Sequence, residues 1–174
     1  MRRILILDDE EAVLHALQRV LRLAFAAAEE VELEAFAEPE AALLRAGVQE
    51  FDVVMSDLRM PGLSGADVLE VIKGLQPDAV RIVLSATTER SDIVAAVNRA
   101  GVFRYLAKPW QGDELVATLR AAFAWRDARL AARAAVEPVP AAVSAHELEL
   151  QRLEREEPGI THVDWDEHGN VRLF

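Results

Sequence analysis

The chain has no cysteine, which excludes disulfides and thiolate metal sites and permits a reducing compartment. It also lacks any unbroken apolar stretch of membrane length, and its start, MRRILILDDEE, turns acidic after one short apolar run. Neither a leader nor a membrane anchor is expected, and a soluble cytoplasmic protein is. Basic residues are scarce: 19 Lys and Arg stand against 30 Asp and Glu, a net charge of -11. Phosphate contacts need clustered Lys and Arg, so generic nucleic-acid binding is disfavoured. The four histidines, His162 and His168 among them, lack the spacing of a zinc site, and His15 reads as a helix-surface residue. What is plentiful is apolar residues, 52% of 174, enough for one good core plus an appendage.

Taken in order, the chain alternates strand and helix. Ile4 to Leu7 predict a buried strand ending in Asp8-Asp9-Glu10, and Val13, Leu14, Leu17, Val20, Leu21 and Phe25 carry helical spacing to about residue 27. Residues 31 to 37 alternate like a strand near a sheet edge, and Pro39 suits the first turn of a helix that ends at Gly47. Val53-Val54-Met55 then read as a strand buried on both faces that delivers Asp57 at its tip. Beyond it Met60-Pro61-Gly62 and Gly65 break regular structure and keep the loop close, so a ligand at Asp57 would meet backbone as well as side chain. Ser64 caps a helix that stops near Pro77, Val80 to Leu84 form a fourth strand ending at Ser85, and a helix from about Ser91 closes at Gly101. Val102 to Ala107 form the last strand, and a long helix begins at Asp113. Five such pairs with short connections imply a parallel sheet covered by helices on both faces.

The strand ends share a chemistry. Asp8 and Asp9, Asp57, Ser85 and Lys108 would all arrive at one edge of the sheet, where open parallel sheets bind ligands. Three crowded carboxylates repel one another unless a divalent cation sits among them, and hard oxygen donors with room for water favour Mg²⁺. Lys108 and the Ser85 hydroxyl would then bind oxygens of an incoming phosphoryl group, with Asp57 the natural nucleophile. Singly, each residue has a plainer reading as a helix cap, a turn residue or a solvated cation. Four coincidences at strand ends outweigh it.

LDDE, SDLRMPGLSG, LSA and YLAKPW, at the ends of the first, third, fourth and fifth strands, carry a resemblance to the receiver domain of bacterial two-component response regulators. It covers residues 1 to about 125. The resemblance implies a CheY-like, flavodoxin-like doubly wound five-stranded parallel sheet of order 2-1-3-4-5, an order inherited from the likeness rather than read from the residues. It further implies that Asp57 accepts a phosphoryl group from a sensor histidine kinase, that Mg²⁺ is held by Asp8, Asp9, Asp57 and the backbone carbonyl of Arg59, and that Ser85 and Lys108 contact the phosphoryl oxygens. Ser85 stands where Thr is the commoner choice, which keeps the hydroxyl. Tyr105 occupies the place of the aromatic switch residue: Ser85 moves toward the new group, Tyr105 turns inward, and the surface of fourth helix, fifth strand and fifth helix changes. On this reading the protein is a phosphoacceptor that assists its own phosphotransfer and dephosphorylation, not an enzyme in its own right. Trp110 after Lys108-Pro109 is similar to receivers joined to ATPase activators or cyclic-di-GMP phosphodiesterases, for which the remaining residues are too few.

Residues 126–143 read as an overrun of the last helix, to about Val136, followed by a linker containing Pro138 and Pro140. Residues 144–174 read as a short helix and then a β-hairpin, ITHVDW and NVRLF around Gly169. Nine acids from Glu137 to Phe174 face Arg152, Arg155 and Arg172, a net of -6 that argues against a DNA-binding output. A lone hairpin is marginal in water, so two roles stand level: an appendage for homodimerisation or for an unknown downstream protein, and a flap over the receiver. The rival class is a Mg²⁺-dependent phosphatase of the haloacid dehalogenase type, which places its nucleophile on the first strand in an Asp-x-Asp pattern. Here the first strand offers Asp8-Asp9-Glu10, and the acid with MPG falls on the third.

Overall fold

A computed structural model describes residues 1–25, 31–86, 98–135 and 152. The chain divides into two compact units, Met1–Arg133 and Ala134–Phe174. The expected linker, short helix and hairpin of the second unit lie outside the described residues, apart from Arg152, which is helical.

In the first unit the strands are β1 (Arg2–Leu7), β2 (Val31–Phe36), β3 (Val53–Ser56), β4 (Val80–Ser85) and β5 (Arg104–Ala107). The helices are α1 (Glu11–Phe25), α2 (Pro39–Ala46), α3 (Gly65–Leu75), the end of α4 (residues 98–100) and α5 (Gly112–Ala135). All pairings are parallel and the order is β2-β1-β3-β4-β5. Successive strand residues point to opposite faces, which builds two cores from one sheet. Ile4, Ile6, Val53, Met55, Ile82 and Leu84 meet α1 and α5 through Leu17, Leu21, Leu115, Leu119 and Phe123. Leu5, Leu7, Val54 and Val83 meet α2 and α3 through Ala42, Val68, Leu69 and Ile72. A strand covered on both sides must be apolar at every position, which is why β1 and β3 read as runs rather than alternations.

The helix ends follow local chemistry. Pro39 occupies the first turn of α2, where its missing N–H costs nothing, and the Gly47 N–H donates to the Leu43 carbonyl at 3.0 Å. The Ser64 hydroxyl accepts the Asp67 N–H at the start of α3. Gly101, at φ 61°, ends α4 in the left-handed region.

Two strands depart from expectation. β2 is half-exposed along its whole length rather than alternating. As the sheet edge it leans Leu33 on one core and Phe36 on the other, and it covers its outer surface with Glu32–Arg3 and Glu34–Arg45 ion pairs. β5 begins at Arg104 rather than Val102, although the Phe103 N–H already donates to the Arg81 carbonyl at 2.8 Å.

The long last helix finds partners within its own unit. Arg2 pairs with Asp127, Arg126 with Asp52, and Arg129 and Arg133 with Asp78. Among the described residues no helix is long and apolar enough to cross a membrane.

Candidate functional site

Three strand ends carry the acids and the cation to one place. β1 ends at Leu7, so Asp8 and Asp9 leave the sheet beside β3, where the Asp57 N–H donates to the Leu7 carbonyl at 2.8 Å. β5 ends at Ala107, and the Lys108 N–H donates to the Ser85 carbonyl at 3.0 Å. The Lys108–Pro109 peptide is cis. Lys108 Nζ lies 2.6 Å from Asp8 Oδ2 and 3.4 Å from Asp57 Oδ1. Four segments separated by up to a hundred positions thus meet at the carboxyl edge of the sheet.

Asp8 and Asp57 are buried, whereas Asp9 is exposed at the rim. Burial pushes the Asp8 carboxyl above the ordinary aspartate value, against the opposing hydrogen bond and charge of Lys108. For Lys108 burial works in the other direction, but Asp8 and then Asp57 outweigh it and hold the ammonium above the usual lysine range. One cation is therefore shared between two buried acids, and the site carries surplus negative charge.

That surplus has a definite location. Asp8 Oδ2 and Asp57 Oδ1 are buried, and among the described residues neither has a partner beyond the Lys108 ammonium. Carboxylate oxygens of Asp8, Asp9 and Asp57 lie within 4.8 Å of one another. Hard anionic donors, two of them under-satisfied, fit a small divalent cation such as Mg²⁺.

The backbone under Asp57 is equally constrained. The Ser56 hydroxyl donates to the Asp57 carbonyl at 2.8 Å, and a Cβ built on Gly65 would fall 1.7 Å from that same oxygen. Gly65 is thus required by space, and the Gly65 N–H closes the loop onto the Leu58 carbonyl at 3.0 Å. The role of Ser56 was not read from the sequence; its signal was a hydroxyl at the fully buried end of an apolar strand.

Ser85, buried at the end of β4, presents its carbonyl to two donors, the Lys108 N–H and the Tyr105 hydroxyl at 2.9 Å. Tyr105 is half-buried against the core that contains Val83. Arg59 is exposed in the loop after Leu58. A cavity of ≈ 530 Å³ opens at the opposite end of the sheet, lined by Phe51, Pro77, Arg126 and Leu130, and includes no residue of the acidic cluster.

The family model for the response regulator receiver domain matches residues 4–120. The hydrogenase transcriptional regulatory protein HoxA of Cupriavidus necator is 40% identical over 119 residues, covering 68% of this chain and 23% of HoxA. The transcriptional regulatory protein KdpE of Mycobacterium tuberculosis is 40% identical over 123 residues, covering 70% of this chain and 51% of KdpE. The chain therefore spans about a quarter to a half of these relatives' length. Among solved structures, the signal receiver domain of an HD domain-containing protein from Pseudomonas fluorescens Pf-5 superimposes with a TM-score of 0.68 at 29% identity, covering 74% of this chain and 90% of that one. With the sheet order, the strand-end acids and the lysine all in place, the chain belongs to the response regulator receiver domain family, a family of signalling domains.

Proposed function

We propose that Asp57 accepts a phosphoryl group from the phosphohistidine of a sensor histidine kinase in a Mg²⁺-dependent reaction, and that the chain signals through protein–protein contacts rather than by reading DNA. The observation that carries this is Lys108 Nζ shared between Asp8 Oδ2 at 2.6 Å and Asp57 Oδ1 at 3.4 Å. A carboxylate oxygen of Asp57 attacks phosphorus, the phosphorus–nitrogen bond to histidine breaks, and its electron pair stays on the departing imidazole. Lys108 supplies positive charge to the transferred oxygens and the Ser85 hydroxyl donates to one of them. Mg²⁺, held by Asp8, Asp9, Asp57 and the Arg59 backbone carbonyl, would neutralise charge on the transferring group. The Ser56 bond to the Asp57 carbonyl and the close packing of Gly65 keep the nucleophile in position throughout.

The message leaves through Ser85 and Tyr105. A shift of Ser85 toward the phosphoryl group is felt at once by Tyr105, whose hydroxyl bonds the Ser85 carbonyl. The surface of α4, β5 and α5 changes with it, and a partner that prefers one arrangement shifts the balance. Residues 1–125 act as the receiver, 126–143 as helix overrun and linker, and 144–174 as the contact element for a second copy or a downstream protein.

Incubation with labelled acetyl phosphate or a phosphorylated kinase tests this. Label is expected on the native chain with Mg²⁺, and none on Asp57→Asn or after chelation. Label retained on Asp57→Asn would overturn the assignment, and catalytic release of phosphate from small substrates would overturn the reading of Asp57 as a phosphoacceptor for signalling. Sequence-selective duplex DNA binding by the phosphorylated chain at physiological salt would overturn the protein-contact output.

A further inference from the structure

The segment that follows the phosphoacceptor is tied to α4 by a short run of charged contacts that the Ser85–Tyr105 route does not use. The N-cap Ser64 adjoins Gly65, which packs directly on the Asp57 carbonyl. The Ser64 hydroxyl donates to Asp67 Oδ2 at 2.6 Å, and the other oxygen of that carboxylate, Oδ1, accepts Arg99 Nη2 at 2.9 Å. Arg99 also pairs with Glu70, one turn along α3, and Lys73 Nζ donates to the Arg99 carbonyl at 2.9 Å. Arg81, buried in β4, donates Nε to the next carbonyl, Ala100, at 2.6 Å. Residues 67, 70 and 73 recur every three positions and so share a face of α3. Two cations on the last carbonyls of α4 also oppose the partial negative charge of its C-terminus.

We propose that Asp67 is a positioning residue that couples the phosphoacceptor loop to the end of α4, one carboxylate oxygen holding the Ser64 cap and the other holding Arg99. The proposal rests on Asp57 being the phosphoacceptor. Loss of either contact loosens the start of α3, whose backbone cap at Ser64 remains, and with it the packing of Gly65 on Asp57, so the loop is less well ordered for phosphotransfer. By linkage, a partner that grips the end of α4 shifts the phosphorylation equilibrium at Asp57, and phosphorylation alters affinity for that partner. Asp67 and Arg99 are partly solvent-exposed, their side chains retaining 41% and 51% of their accessible area, so global stability is little affected by their pairing.

The test measures Mg²⁺-dependent labelling from acetyl phosphate, alongside urea midpoints, for Asp67→Ala, Arg99→Ala, the double variant and Glu70→Ala as control. Asp67→Ala and Arg99→Ala are each expected to slow labelling about fivefold with nearly unchanged midpoints, and the double variant no more than either alone. Glu70→Ala, which leaves the Ser64–Asp67–Arg99 link intact, is expected to label at the native rate. Rates for Asp67→Ala and Arg99→Ala within twofold of native, or equal slowing by Glu70→Ala, would overturn the coupling while Asp57 remains the labelled residue. Label surviving on Asp57→Asn would overturn the underlying reading and the coupling together.

Discussion

Asp8 and Lys108 touch at 2.6 Å, yet substitutions at the two are expected to move stability in opposite directions. Asp8 is one of two buried acids competing for one cation, and its own charge is held against a burial penalty. Asp8→Asn removes that charge and leaves Lys108 paired with Asp57, so the metal-free chain is expected to gain about 1 kcal/mol in urea unfolding, and the stabilisation proposed to come from added Mg²⁺ is expected to weaken. Lys108→Ala strands two buried carboxylates and costs about 3 kcal/mol in the same assay. This asymmetry follows from a count of charges at one point in space. The residues that meet there were legible as strand-end polar groups, but the tighter grip of Lys108 on Asp8 than on Asp57 depends on where β5 comes to rest.

Elements were the most legible level, because helices and strands answer to local spacing. Ser64, Pro39 and the run from Ile4 to Leu7 each mark a boundary through their own chemistry. The strand at residues 31–36 was harder: its sequence alternates, but an edge position leaves every residue half-covered. The glycines separate two causes that a sequence cannot distinguish. Gly65→Ala puts a methyl 1.7 Å from the Asp57 carbonyl and is expected to cost about 3 kcal/mol or more, with labelling lost. Gly101→Ala meets nothing closer than 3.7 Å among the described residues, so its φ of 61° dominates, at about 1 kcal/mol by equilibrium unfolding. At the edge strand, the Arg45 hydrogen bond holds the Glu34 carboxyl below the usual glutamate range. Its stabilisation is therefore present above the unfolded-state value and lost as pH falls through the lower folded value. In an acid titration of stability, Glu34→Gln is expected to flatten this part of the slope slightly.

Across the whole first unit, distant segments are joined by two acidic hubs. Asp52 accepts from Arg2 and from the Arg3 N–H and pairs with Arg126, and Asp78 pairs with Arg129 and Arg133. Asp52 sits largely out of solvent with its cations around it, so Asp52→Ala is expected to cost about 2 kcal/mol in urea unfolding. These contacts bridge positions 49 to 74 apart, and no short window of sequence contains both members. The sequence by itself determined the alternation of strand and helix, the apolar runs of a doubly covered sheet, and which strand ends carry acids, a hydroxyl and a lysine, because each depends on side chains within a turn or two. Tertiary structure alone decided that Lys108 bridges Asp8 and Asp57, that Gly65 has no room for a side chain above the Asp57 carbonyl, and that α5 is held by Asp52 and Asp78. Those outcomes depend on the register and twist that bring separate segments within a few ångströms, and such distances are a property of the packed chain.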